Sequence, residues 1–443
     1  MRLSIRGFVL AAALCAVPAA TWAQTTVPAP TTQRANTPEQ TRQMKTRVKI
    51  LLDRAKDALA QGNETQANQY FSELAGLARE AWDNQDAMTC EYIFRQILYL
   101  RPENPEALFG LAELYRRTNP SWAIEYYNKY LQNNPSDPAA RYGRGSCYLD
   151  RQAFSLAIED LKYLVDRLEP NNVGGLTNLS LAYRGLAAKR GEGDPDPETF
   201  KTAVDYMEKA VLAAEAARNS AGDKKPGDNR NLADLRFRLG YMIFEYGQLM
   251  AKAKRAIPDL TDAITSLNYA LGIAIQETRD NPEDRQLVDK IQQYLDALYE
   301  MHFFLSQIDP GNQKHYDELT GLLRSKSFWQ NRTSNILIVG ILKRAAEANP
   351  KLIDNWANLA GAYADIGDYK NIQEAMKQMA ALDPQKAAQQ WVGLSQMFFR
   401  GKNAKHALEA LDQAIKLDPK NEQYKKIRAQ LVAQTQPAVP LTR

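Results

Sequence analysis

The chain has 443 residues, 44% hydrophobic and 24% charged, enough for two or three globular domains or for one array of stacked repeats. Its formal net charge is +4, and removal of Arg2 and Arg6 with an N-terminal leader leaves 54 basic against 52 acidic residues, a charge of +2. Basic residues are dispersed among acidic ones, and clusters such as Lys224-Lys225 and Lys425-Lys426 are too small for a nucleic-acid surface, so a nucleic-acid partner is not expected.

Residues 1–23 read as a secretory signal. A short basic start leads into an apolar run from Phe8 to Val17, and Thr21-Trp22-Ala23 resembles a small-x-small cleavage site. The run is shorter than the ~20 residues that a membrane span requires. Leu14, just before Cys15, occupies the place where a lipoprotein signal has a small residue. The expected mature chain is therefore exported, periplasmic or secreted and from a bacterial host, with no transmembrane segment after cleavage. Residues 24–40, rich in Thr, Pro and Gln, are expected to form a disordered tether.

Helical periodicity runs through residues 41–217. Val48, Leu51, Leu52, Ala55 and Leu59 mark a first helix, and Phe71, Leu74, Leu77 and Ala78 a second, on either side of the turn Gly62-Asn63. Cys90, Phe94, Ile97 and Pro102 then belong to one helix. Leu108, Leu111, Ala112, Tyr115, Ala123, Tyr127, Tyr130 and Pro135 make a whole helix pair. The series Tyr142, Gly145, Tyr148, Ala157, Leu161, Leu164 and Pro170 makes another. A further pair begins at Leu176, Leu179, Ser180 and Tyr183, is interrupted by the polar insertion Lys189–Glu198, and resumes at Ala203, Met207 and Ala210.

Residues 218–231 are predicted to be a polar loop, and 232–330 a degenerate helical section, where extra residues between Leu239-Gly240 and Ala263-Leu267 require helices that are longer or kinked near Pro258. Residues 331–434 return to the regular pattern and close on an amphipathic helix with Tyr424, Ile427 and Leu431 on one face, a cap of the kind that repeat arrays need. Residues 435–443 are expected to be a flexible tail. Cys90 and Cys147 fall in different repeats with two helices between them. At interhelix spacings of about 8–10 Å they exceed the roughly 7 Å reach of a disulfide, so both thiols are expected to be free.

The pattern is clearest over 353–421, where two copies follow each other. Trp356, Leu359, Ala360, Tyr363, Gly367, Ile372, Met376, Met379 and Pro384 are answered by Trp391, Leu394, Ser395, Phe398, Ala407, Leu411, Ala414 and Pro419, with the two tryptophans 35 residues apart. A bulky residue, a Leu-small pair, an aromatic, a second small residue and a closing proline make a helix-turn-helix unit that resembles the tetratricopeptide repeat. The resemblance implies an all-α, right-handed α-solenoid of stacked helix-turn-helix repeats with a degenerate long-helix middle section. It also implies that first helices line a concave groove in which a protein or peptide lies.

Carried over by position, the groove residues of 105–185 are Phe109, Glu113, Arg116, Tyr142, Ser146, Asn178 and Arg184. Tyr142 is the expected aromatic anchor, with Arg116 and Arg184 as polar contacts. Repeats that clamp acidic chaperone tails carry Lys, Asn and Arg where this chain has Phe109, Gly110, Glu113, Ala139 and Gly143, so that class of partner is not expected.

Catalytic signatures are sparse. The three histidines, His302, His315 and His406, have no Cys or further His at metal-ligand spacing, and neither a glycine-rich phosphate loop nor a nucleophile elbow occurs. No metal site and no cofactor is predicted. A composite site of His302 and His315 with Asp309 or Glu300 is the one arrangement the spacing leaves conceivable. Three readings stand: a non-enzymatic interaction scaffold, a subunit of an envelope-assembly or secretion complex, and an enzyme with its site in the irregular middle. The third would show as a perturbed carboxylate or histidine within 230–330.

Overall fold

The computed structural model describes residues 38–189, 195–220, 226–280, 284–324 and 332–435. The predicted signal, most of the predicted tether, the pair Phe328-Trp329 and the predicted tail beyond Thr435 lie outside the described residues. Among the described residues the fold is all-α, with nineteen α-helices. The chain divides into two compact units, Met1–Lys225 with Glu245–Pro258, and Pro226–Phe244 with Asp259–Arg443.

The first unit holds α1 (Pro38–Ala60), α2 (Glu64–Asp83), α3 (Ala87–Leu100), α4 (Pro105–Tyr115), α5 (Pro120–Asn133), α6 (Pro138–Asp150), α7 (Phe154–Tyr163), α8 (Val173–Lys189) and α9 (Pro197–Ser220). Each packs on the next, as short connections between antiparallel helices require, and α2, α4, α6 and α8 also touch in succession, so that they share one layer. Asparagine or aspartate caps most starts: the side chains of Asn63, Asp86, Asn104, Asn119 and Asp137 each accept a hydrogen bond from a free N–H of the first turn. Prolines 105, 120 and 138 sit in that turn, where their missing N–H costs nothing. One apolar core runs from Met44 on α1 to Cys147 on α6.

The second unit takes α11 (Thr261–Asp280), α12 (Arg285–Ile308), α13 (Gln313–Arg324), α14 (Arg332–Ala348), α15 (Ile353–Ile366), α16 (Tyr369–Leu382), α17 (Pro384–Arg400), α18 (Ala404–Leu417) and α19 (Glu422–Thr435), again packed in sequence. Its core runs from Leu295 to Leu431. The turn after α15 uses Gly367 at φ 79°, a left-handed conformation that favours glycine. Asp383 both ends α16 and caps α17, so the closing proline of one repeat, Pro384, opens the next helix.

The structure corrects several boundaries. The first helix begins at Pro38, inside the segment 24–40 expected to be a tether. The predicted loop 218–231 is largely helical, because α9 continues to Ser220 and α10 (Pro226–Lys252) starts at Pro226; residues 221–225 lie outside the described residues. Its polarity reflects ion pairing rather than a loop: Arg230 bonds Glu277 at 2.9 Å and Asp284 at 3.2 Å. Pro258 kinks no helix, since it lies between α10 and α11. The extra residues of the middle section lengthen α10 to 27 residues. The pairing read there holds: a Cβ on Gly240 would come within 2.7 Å of the Ala263 carbonyl oxygen, so α10 and α11 approach backbone to backbone.

Candidate recognition face

The seven residues assigned to the groove lie on α4, α6 and α8, three helices of the shared layer, and all are half-buried. Most also have partners within the chain. Phe109 packs its ring at 5.3 Å from Tyr130 and edge-on at 6.2 Å from Tyr127. Glu113 accepts hydrogen bonds from the Tyr127 hydroxyl and from Arg116 Nε, the latter at 3.2 Å. Burial, and after it the Glu113 carboxylate, pushes the Tyr127 phenol above its ordinary range, which keeps it a donor. Burial opposes the charge on Arg116, but Glu113 and neighbouring groups outweigh it and raise the guanidinium pKa.

The α6–α8 junction is knit by small groups. Ser146 Oγ donates to the Tyr142 carbonyl at 2.8 Å and accepts from Asn178 Nδ2 at 2.9 Å. The Tyr142 ring lies along Gly174, where a Cβ would sit 3.1 Å from the phenolic oxygen. Arg184 makes a two-pronged bond to Glu245, at 2.9 and 2.7 Å, through 61 residues of sequence separation. The structure brings Ser146, Asn178 and Tyr142 together at this junction. The sequence reading placed these three on one face. It did not find Glu245 or Tyr127, each a fixed partner of a predicted residue. A Glu in the stretch expected to be degenerate carries no positional signal, and Tyr127 reads only as a packing residue.

A second feature of this layer went unread. Between α2, α3 and α4 opens a cavity of about 290 Å³. Its small lining residues are Ala75, Ala78 and Gly110, and its rings are Trp82, Phe94 and Phe109. Gly110 lets the Phe94 ring lie against the backbone of α4, because a Cβ there would fall 2.3 Å from that ring and displace it. Arg79, Glu106 and Glu113 add charge to a lining that is otherwise apolar, and the Trp82 ring is half-exposed. Cys90 also lines the cavity, but burial pushes its thiol, like that of Cys147, up to about 12, so both stay protonated and unreactive. Both are free in the structure. The signal that could have revealed the cavity is the run of small residues Ala75, Ala78 and Gly110 across adjacent first helices.

In the middle section His302 and His315, the two histidines of the conceivable composite site, face each other with Nδ1 atoms 3.3 Å apart. The nearby hydroxyls are engaged with backbone: Ser306 donates to the Phe303 carbonyl at 2.7 Å and Tyr316 to the Ser306 carbonyl at 3.4 Å. Among the described residues no group of three or more His, Cys, Asp or Glu could hold a metal ion, and no helix is long and apolar enough to cross a membrane.

Residues 114–172, which span α5, α6 and α7, match the family model of the tetratricopeptide repeat. No curated protein matches the sequence. Solved structures similar to this chain include MamA from Desulfovibrio magneticus RS-1, 15% identical over 48% of this chain and 97% of that one, with a TM-score of 0.34. A tetratricopeptide repeat protein from Parabacteroides merdae is 12% identical over 82% of this chain and 99% of its own, at a TM-score of 0.28. Yeast Tom70 is 14% identical over 83% and 96%, at 0.26. The family match thus identifies a tetratricopeptide repeat at 114–172, and the two helix pairs of α15–α18 carry the same sequence motif.

Proposed function

We propose that the first unit is a non-catalytic docking module of an exported scaffold, with a protein or peptide partner lying along the layer of α2, α4, α6 and α8. The cavity between α2, α3 and α4 carries this reading, because rings around small residues make a seat for one bulky apolar side chain, the kind of anchor in which interface energy concentrates. Tyr142 extends the face towards α8. Arg116 and Arg184 are held by carboxylates and so act as oriented rather than free cations. The basic, apolar and small-residue sequence of residues 1–23 supports export to the periplasm or beyond.

A second reading has one observation in its favour. Met88, Tyr92 and Tyr99 are exposed at helical spacing on α3, with Met88 84% and Tyr99 79% accessible. Such an apolar stripe supports a further contact, as a subunit of an envelope complex would need.

Photo-crosslinking in the native envelope fraction separates the two. Reactive residues placed at Trp82 and Tyr142 should give a defined adduct under the docking reading, and residues at Met88 and Tyr99 should not. Tyr142→Ala should then weaken binding about thirtyfold, the equivalent of ~2 kcal/mol, with helical content unchanged. Adducts formed only from Met88 and Tyr99 would move the partner to α3 and overturn the groove assignment.

A further inference from the structure

His302 and His315 form a buried imidazole pair with an unusual constraint. The rings come from consecutive helices, α12 and α13, with centroids 5.6 Å apart, and are 3% and 9% exposed. Their Nδ1 atoms face each other at 3.3 Å. A neutral imidazole carries one N–H, so one ring can donate from Nδ1 while the other accepts there. A doubly protonated pair has two Nδ1–H donors pointed at each other and no acceptor between them. Both side chains are buried, so bulk solvent does not separate the two donors.

We infer that the His302–His315 pair is an acid-release clasp: it holds α12 to α13 while at most one of the facing Nδ1 atoms is protonated and lets that hairpin open when both are. The surrounding charges do not rescue the doubly protonated form. Lys314 acts on both rings and disfavours their charge, while Asp309 and Glu318 favour charge on His315 alone. From α14, Arg344 lies 5.2 Å from the Phe303 ring and acts on Tyr299 and Tyr316. Among the described residues α11, and α10 where Phe244 meets Phe304, bring no charge to either ring. The first proton is thus favoured on His315, and His302 is the ring that resists the second.

The sign of the pH effect follows from this arrangement. Burial, then His315, then Lys314 hold His302 down from 6.5 to about 4. The opened hairpin therefore binds more protons than the closed one, and its closure is lost as pH falls from about 6.5 towards 4. Between pH 7.5 and 5.0 this linkage shifts the opening equilibrium on the order of thirtyfold.

Hydrogen exchange on the full chain, corrected for the intrinsic pH dependence, tests the clasp. Protection over 285–324 should fall about thirtyfold between pH 7.5 and 5.0, while α17 and α18 keep theirs. In His302→Gln, whose amide can still donate to His315 but takes up no proton, most of that pH dependence should vanish. If that variant does not fold, histidine NMR of the wild type decides instead, since the rings must titrate as a coupled pair with one proton taken up well below 6.5. Two independent titrations near the ordinary histidine value, equal protection at both pH values, or equal losses in α17 and α18 would each overturn the inference.

Discussion

Aligning Ala157 with Ala407 places the helix pair α6–α7 on α17–α18, and the two fill the same packing slots with opposite chemistry. In α17–α18 the slots hold Trp391, Leu394 and Ala410, all buried and apolar. In α6–α7 they hold Arg141, Arg144 and Asp160, with Asp160 only 1% exposed. Both guanidinium groups bond that carboxylate, Arg141 at 2.7 Å and Arg144 at 2.6 and 2.7 Å. Two further donors are also occupied, Arg141 Nε by the Pro135 carbonyl and Arg144 Nη1 by Asn128, while the Arg141 guanidinium lies 4.5 Å over the Tyr163 ring. A helix pair in this register thus closes either on a hydrophobic contact or on a buried ionic triad whose charges are paired and hydrogen-bonded.

The triad is where the two pairs should differ most on mutation. Asp160→Ala leaves two largely buried cations without their counter-ion, and the expected loss is about 3–5 kcal/mol in urea unfolding. Adding Arg141→Trp and Arg144→Leu, which copies the α17–α18 solution, should recover most of it, because a packed apolar set is often as stable as a buried ion pair. A loss below ~1 kcal/mol for Asp160→Ala would mean that the triad behaves as a screened surface pair, and the contrast with α17–α18 would collapse.

The shared feature of the two pairs comes next. Ala157 and Ala407 are both fully buried at the small position of the second helix, and either replaced by Leu should lose about 1–3 kcal/mol through overpacking. Exchange protection should fall mainly in the adjoining helices, since repeats are held by their neighbours. Gly145→Ser belongs in the same range. Ser395 fits at the equivalent place in α17, but in α6 a Cβ would lie 2.8 Å from Leu161 Cγ.

The fold was legible because its determinants are local and periodic. Ala157, Ala407, Leu161 and Leu411 recur at fixed spacing, and all are fully buried. One irregularity in that spacing has a local cause: Pro170 stands one residue later than Pro419 would place it, and α7 ends in a π turn at Leu164–Leu168 that takes up the extra residue. What stayed hidden was polar and non-local. Arg141, Arg144 and Asp160 look like solvated helix charges unless the repeats are aligned. Glu245 reaches Arg184 across 61 residues, and the opposed Nδ1 atoms of His302 and His315 depend on the turn between their helices. The candidate face was half legible for the same reason: motif register places Tyr142, Ser146 and Asn178 on one layer, but a cavity lined by α2, α3 and α4 is a property of three helices together.

The smallest predicted effect tests whether equivalent positions in the two units are energetically equivalent. Ser180 on α8 and Ser395 on α17 occupy the small position of the first helix and are 0% and 3% exposed. Each sends its hydroxyl to the carbonyl of the alanine at the small position of the second helix, Ser180 to Ala203 at 2.6 Å and Ser395 to Ala407 at 2.7 Å. The bond is the same although the polar insertion before α9 separates the first pair by 23 residues and only 12 separate the second. If packing geometry alone sets its worth, Ser180→Ala and Ser395→Ala should each cost about 0.5–1.5 kcal/mol. Because the sites lie in different units and share no partner, the double variant should lose the sum of the two within ~0.5 kcal/mol. A Ser180→Ala loss well above that of Ser395→Ala would show that the bond in the interrupted repeat also holds the insertion in place.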